Sequence, residues 1–162
     1  MEQEQAGTLT AAATEEVVVV RLGGSRYALP MSSVAEVGRP PALTRVPGVP
    51  PWLAGVANWR GRVLAVLDLR PLLAASGQEL DRRARLVVLH RAGVPVGLLT
   101  EGVEGTRVLD HDHVEPSLAH LPGSAAELLT GQTTDAGGPC GVVDLDAVFR
   151  LPDTLPRARR AG

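Results

Sequence analysis

Val17-Val18-Val19-Val20-Arg21-Leu22-Gly23-Gly24-Ser25-Arg26-Tyr27-Ala28-Leu29 reads as strand, tight turn, strand, because two glycines tolerate the positive φ that a short hairpin turn needs. The stretch recurs. Val17 to Val34 lies over Leu86 to Val103 at a constant offset of 69 without a gap, matching Val18 with Val87, Val19 with Val88, Gly24 with Gly93, Leu29 with Leu98 and Val34 with Val103. Further on, Val66-Leu67-Asp68-Leu69-Arg70-Pro71-Leu72-Leu73 parallels Val142-Val143-Asp144-Leu145-Asp146-Ala147-Val148-Phe149 at an offset of 76. Valine and leucine are abundant enough to match by chance, but the matched Gly and Asp positions are not filler. Two related β units in one chain follow.

Further β-branched runs bounded by Gly or Pro occur at Val34 to Val37, Arg62 to Leu67, Arg85 to His90, Val94 to Leu99, Thr106 to Leu109 and Cys140 to Val143. Short strands at such spacing predict a small barrel or sandwich. Helical periodicity is confined to Leu69 to Ala75, Ala125 to Leu129 and Leu145 to Arg150, so helices are accessories. In both copies of the second repeat the Asp lies between a strand and a helical turn, where its carboxylate caps backbone N–H groups for about 1 kcal/mol. Asp68 and Asp144 therefore read as structural. Residues 1–14 lack a periodic apolar face and residues 152–162 are rich in Pro and Arg, so both ends are expected to be loose around a body spanning 15–151.

With 162 residues, 44% apolar and 21% charged, the composition is that of one globular domain. A net charge of −2 gives no field to hold a polyanion, which argues against nucleic acid as principal partner. No apolar run approaches the ~20 residues of a membrane span, and Met1 to Thr14 has no basic start or apolar stretch of a secretory leader. A cytoplasmic protein without membrane insertion is the expectation, and a single cysteine, Cys140, fits it.

The chain has no G-x-x-x-x-G-K-[ST], no G-x-G-x-x-G after a strand and no G-x-S-x-G elbow. Cys140 is a nucleophile only if a His approaches it in space, and reads more simply as a small buried residue. In Asp110-His111-Asp112-His113 an extended backbone would put both His on one side. Two imidazoles without a CxxC or HExxH are a weak metal site, however, and the cluster is read as a solvated polar loop. His90 and His120 are isolated. Arg82, Arg83 and Arg85, and in the tail Arg157, Arg159 and Arg160, read as solvated faces, the tail triplet offering at most adjunct binding to an acidic surface.

Arg45 to Leu73 is unlike a filler loop. Pro47, Gly48, Pro50 and Pro51 stiffen it, and Trp52 and Trp59 are half of the four aromatics in the chain. Trp and Arg presented together on a rigid turn serve as interface anchors; equally, either indole can plug a core seam.

The run Val46-Pro47-Gly48-Val49-Pro50-Pro51-Trp52-Leu53-Ala54-Gly55-Val56-Ala57-Asn58-Trp59-Arg60-Gly61-Arg62-Val63-Leu64-Ala65-Val66-Leu67-Asp68-Leu69-Arg70 resembles the signature of CheW-like domains, the coupling proteins of bacterial chemosensory arrays. Flanking features agree: Arg26 to Pro30 followed by Val34 to Val37, Gly97 to Leu99 with Gly102-Val103, and Leu128 to Gly131 before Val142 to Leu145. The likeness runs from about Glu15 to Leu151. It implies a mostly β fold of two intertwined five-stranded SH3-like β-barrels with short accessory helices. It also implies no catalysis and no cofactor or metal. The implied partners are the regulatory domain of a CheA-type histidine kinase and the cytoplasmic hairpin tip of methyl-accepting chemoreceptors, at membrane-associated arrays.

By position, the resemblance assigns partner contact, or the shaping of that surface, to Val34, Glu36, Gly55, Asn58, Arg60 and Gly61. Arg60 either bridges a partner carboxylate or braces the adjoining backbone. Gly55 and Gly61 shape the turn, through positive φ or by letting another backbone approach. Trp59 stands where the family usually has a smaller aliphatic and Ala65 where Pro is common, so Trp59 is expected to alter the partner-facing groove. Two other classes remain open. One is a sensing module holding a purine-like or other small ligand between the barrels against Trp59 and Arg60; the other is a metal-dependent enzyme using His111 and His113.

Overall fold

The computed structural model describes residues 13–73, 79–116 and 123–155. Among the described residues the strands are β1 (Thr14–Leu22), β2 (Ser25–Pro30), β3 (Val34–Gly38), β4 (Leu53–Trp59), β5 (Arg62–Leu67), β6 (Arg85–Arg91), β7 (Val94–Thr100), β8 (Gly102–Asp110), β9 (Leu129–Asp135) and β10 (Gly138–Val143). Helix α1 (Gly123–Leu128) precedes β9 and α2 (Leu145–Arg150) follows β10, with short 3₁₀ turns at Met31–Ser33, His111–His113 and Leu151–Thr154.

The repeat in the sequence is a repeat in space, with an exchange. One five-stranded sheet has the order β8-β1-β2-β10-β9 and the other β3-β6-β7-β5-β4. Each is a hairpin from one half of the chain (β1–β2 or β6–β7) completed by three strands from the other half. The offset of 69 carries β1, β2 and β3 onto β6, β7 and β8, and the offset of 76 carries β4 and β5 onto β9 and β10. The same register appears twice: Val142 pairs with Ala28 in the parallel β10–β2 ladder and Val66 with Gly97 in the parallel β5–β7 ladder.

The uninterrupted valines follow from burial on both faces, which removes the need for polar alternation. Val18 and Val20 point into the large cluster between the sheets, beside Leu29, Leu67, Val87, Leu89 and Leu98, which α1 and α2 cover with Ala125, Leu128, Leu145 and Val148. Val17 and Val19 point the other way, into the first barrel with Ala28, Leu109, Cys140 and Val142. Leu86 and Val88 enter the second barrel with Ala57, Leu64, Val66 and Leu99. Burying each such side chain contributes about 1.5–3 kcal/mol before the entropy of ordering the chain.

Every strand read from the sequence is present, and β8 is longer than the expected Thr106 to Leu109. Two strands were not anticipated, β4 and β9. The rigid part of the Arg45–Leu73 segment is thus confined to its two ends, because Leu53 to Trp59 is ladder rather than turn. Leu69 to Leu73 forms a hydrogen-bonded turn rather than a helix, with Leu72 N and Leu73 N donating to Leu69 O at 3.0 and 3.1 Å. Ala74 and Ala75 lie outside the described residues, as do residues 1–12, His120 and residues 156–162.

Asp144 caps α2 as expected, accepting from Asp146 N and Ala147 N at 3.0 and 3.4 Å. Asp68 accepts from Arg70 N and pairs with the Arg70 guanidinium. Arg70 also reaches Glu101, whose carboxylate accepts the Gly23 and Gly24 N–H groups of the β1–β2 turn. This chain of bonds ties one sheet to the other.

Candidate protein-interaction surface

The open edges of the second sheet are β3 and β4. Side chains close them. Trp59 Nε1, at the end of β4, donates to Glu36 Oε2 on β3, and Arg60 Nε lies 3.6 Å from the same oxygen. The Arg60 guanidinium carbon stands 5.2 Å from the centre of the Trp59 ring, so the three residues form one contiguous group.

Local sequence explains why they meet. Trp59 pairs with Arg62, leaving Arg60-Gly61 as a two-residue hairpin turn with φ of 51° and 76°. Two positive φ values match the twist of the flanking strands. Asn58 Oδ1 accepts the Gly61 N–H at 3.0 Å and locks the turn. A Cβ at Gly61 would touch nothing within 4 Å, so conformation alone requires glycine there. Gly55 is different. A Cβ at Gly55 would sit 2.6 Å from Thr44 O, whose N–H and carbonyl bond with Val56 at 2.9 Å each. This glycine admits a neighbouring backbone.

Of the seven residues assigned from the sequence, Glu36, Asn58, Trp59, Arg60 and Gly61 are brought together. Val34 packs against the core between the sheets and Gly55 acts from the far end of β4. The two indoles sit in different settings. Trp52 is buried in the inter-sheet core, whereas Trp59 is half-buried, its ring packed on the second barrel and its N–H at the rim. Glu36, Arg39, Pro41, Asn58, Trp59 and Val88 line a shallow pocket of about 110 Å³ beside this group.

One apolar neighbour escaped the sequence reading: Val63, opposite Asn58 across the hairpin and 78% exposed. Its pairing with the turn's asparagine, inside a strand otherwise buried at Leu64, Val66 and Leu67, was the available signal. Its pairing with Asn58 puts Val63 on the outer face of the hairpin, opposite the face on which Ala57, Leu64 and Trp59 pack, so it is a separate exposed apolar position of β5.

The other candidates fall elsewhere. Residues His111 to His113 form an exposed 3₁₀ turn rather than an extended segment, because Asp110 Oδ1 accepts the Asp112 N–H. His111 Nε2 lies 2.7 Å from Glu15 Oε2 and His113 Nδ1 lies 3.2 Å from Asp110 Oδ2. Among the described residues no group of three or more His, Cys, Asp or Glu is placed to hold a metal ion. Cys140 is buried in the first barrel, and burial pushes its thiol up from the ordinary value. Arg83 pairs with Asp81 on the surface.

The CheW-like domain model matches residues 16–153. The chain belongs to the CheW-like domain family. It is 36% identical to Protein PilI of Pseudomonas aeruginosa over 67% of this chain and 59% of that protein, so it spans less than two thirds of that relative. It is 33% identical to Protein FrzA of Myxococcus xanthus over 76% of each, and 28% identical to the chemotaxis protein CheW of Klebsiella aerogenes over 72% of this chain and 70% of that one. The fold is shared with the scaffolding protein TtCheW of Thermoanaerobacter tengcongensis, with a TM-score of 0.73 at 21% identity over 81% of this chain and 84% of that structure. Relatives in this family include proteins named chemotaxis protein CheW, and the two five-stranded sheets are the SH3-like subdomains of the CheW-like fold. Among the described residues no helix is long and apolar enough to cross a membrane.

Proposed function

We propose that this CheW-like protein is a non-catalytic adaptor that couples a chemoreceptor's cytoplasmic hairpin tip to the regulatory domain of a CheA-type histidine kinase in a membrane-associated array. The observation that carries the reading is the Glu36–Trp59–Arg60 group at the rim of the second barrel, a preassembled surface offering an exposed guanidinium and an indole edge. Preformed anchors bind with little ordering cost. An adaptor of this kind changes kinase output only through contacts that differ between receptor states, as a shift in populations.

Calorimetric titration with the kinase regulatory domain encoded in the same genome, then with the receptor tip, tests the proposal. Micromolar binding, about −8 kcal/mol, that weakens in Arg60→Ala supports it. Absence of heat and of co-elution with any such kinase from that genome overturns it.

A further inference from the structure

The two barrels repeat each other strand for strand but not side chain for side chain. The offsets of 69 and 76 place Val17, Val19 and Ala28 where the second barrel has Leu86, Val88 and Gly97, and Cys140, Val142 and Asp135 where it has Leu64, Val66 and Trp59. The ladders obey this equivalence, and Glu115 bridges to Gln132 as Thr44 does to Val56.

The second barrel is full. A methyl at Gly97 would lie 3.0 Å from Leu86 Cδ1 and 3.1 Å from Leu64 Cδ2, and the Trp59 ring packs on the same cluster. Its mouth retains about 110 Å³. The corresponding mouth of the first barrel retains about 210 Å³, bounded by Val17, Val19, Ala28, Leu109, Cys140 and Asp135. Val17 and Cys140 are both smaller than the leucines they replace. At the position that supplies an indole in the second barrel, Asp135 instead turns its carboxylate to Arg26, at 2.7 and 3.1 Å.

We propose that the mouth of the first barrel is a binding site for a small neutral aromatic molecule of about the size of indole. The second barrel shows the occupant this frame accommodates, since there an indole from the chain's own β4 packs over the equivalent residues. Four aliphatic walls offer no polar atoms, and the Cys140 sulfur adds a polarizable contact to a ring. At the rim Asp110, Thr133 and Thr134 supply acceptors for a ring N–H, and Asp110 and Asp135 are offset by Arg107, His113 and Arg26, so the mouth carries no single sign of charge to select an ion. Apolar cavities of roughly 150 Å³ stay dry and take up benzene, so this larger space admits a bicyclic ring.

Indole is the probe, titrated into the full chain by calorimetry and saturation-transfer NMR, with the alkylation rate of Cys140, the single cysteine, as an independent readout. The expected result is saturable binding that slows alkylation. Cys140→Leu, which restores the second barrel's residue, raises the melting temperature and weakens binding by ~10-fold or more. Val17→Leu narrows the same space from the opposite wall and has the same effect, so the test stands if one variant does not fold. Unsaturable uptake by the native chain, or undiminished binding in a folded filled variant, overturns the proposal.

Discussion

Arg60 holds its side chain on a left-handed backbone, φ 51°, that costs an L-residue about 1–2 kcal/mol. Its ion pair with Glu36 spans 3.6 Å and its side chain is 70% exposed, so it returns little stability. The same geometry recurs at Gly23 and Ala92 in the β1–β2 and β6–β7 turns, so the strain belongs to the hairpin turn whichever residue occupies it. Two substitutions separate backbone from side chain. Arg60→Gly relieves the turn and raises stability by about 0.5–1 kcal/mol, whereas Arg60→Ala leaves it within about 0.5 kcal/mol. Both weaken kinase or receptor binding equally if the guanidinium is the contact. Urea unfolding beside calorimetry reads both effects, and an Arg60→Ala protein that unfolds would make the residue structural. The glycines differ in the same spirit. Gly61→Ala costs about 1–2 kcal/mol through φ alone. Gly55→Ala forces a methyl against Thr44 O and costs about 1–3 kcal/mol or more, as does Gly131→Ala, whose Cβ would meet Glu115 O at 2.6 Å. A thermal melt ranking Gly61→Ala as the most damaging of the three would contradict the packing argument.

At the scale of elements, what closes each barrel decides how it responds to acid. The second barrel is closed at its rim by Glu36 and Trp59; in the first, Glu104 on β8 and Asp135 on β9 both bind the buried Arg26 of β2, with bonds of 2.8 and 2.7 Å. Hydrogen bonds from Arg26 hold both carboxyls below their ordinary values of 4.5 and 3.8, and Arg21 and Arg107 add attraction. A depressed carboxyl stabilises the fold above its ordinary value and loses that contribution as pH falls through the lowered one. Stability should therefore be level near neutrality and decline below about pH 4.5. Arg26→Ala should cost about 3 kcal/mol at pH 7 and flatten the acid limb, since it breaks charge-assisted bonds to two carboxylates, each worth about 1.5–3 kcal/mol when buried and less at these part-exposed partners. Urea titrations at pH 7 and pH 3 on both proteins check this; parallel pH profiles would remove the clasp from the account. Arg26 looked like any strand residue in the sequence, because its carboxylate partners are distant in the chain and nothing local marks them. β4 and β9 were illegible for a related reason. Leu53 to Trp59 is diluted by Ala, Gly and Asn, and Leu129 to Asp135 has one apolar residue in seven and no alternation, so their strand character shows in pairing with β5 and β10 rather than in an apolar pattern. The hairpins β1–β2 and β6–β7, with valine runs and glycine turns, were legible in full. So was the Asn58–Gly61 turn, although its closure onto Glu36 required the fold.

The whole molecule is built on an exchange between halves, and this sets its folding unit. The first sheet needs β8, β9 and β10 to cover β1–β2, and the second needs β3, β4 and β5 to cover β6–β7. A fragment ending at Leu73 would carry β1 with Val17 to Val20 exposed on both faces and no neighbour at either edge of its hairpin. An isolated hairpin is at best marginally stable in water, and an uncovered valine-rich edge aggregates. Neither a fragment ending at Leu73 nor one beginning at Glu79 should therefore fold as a monomer. Mixed in equal amounts from denaturant, the two should recover a cooperative melt and the near-ultraviolet signal of the buried Trp52. The internal repeat adds a condition to this experiment. β3, β4 and β5 have the same order and register as β8, β9 and β10, so a half chain can complete its own hairpin with the strands of a second copy. Light scattering must accompany the melts: a folded half of dimeric mass obeys the exchange, and a folded half of monomeric mass refutes it.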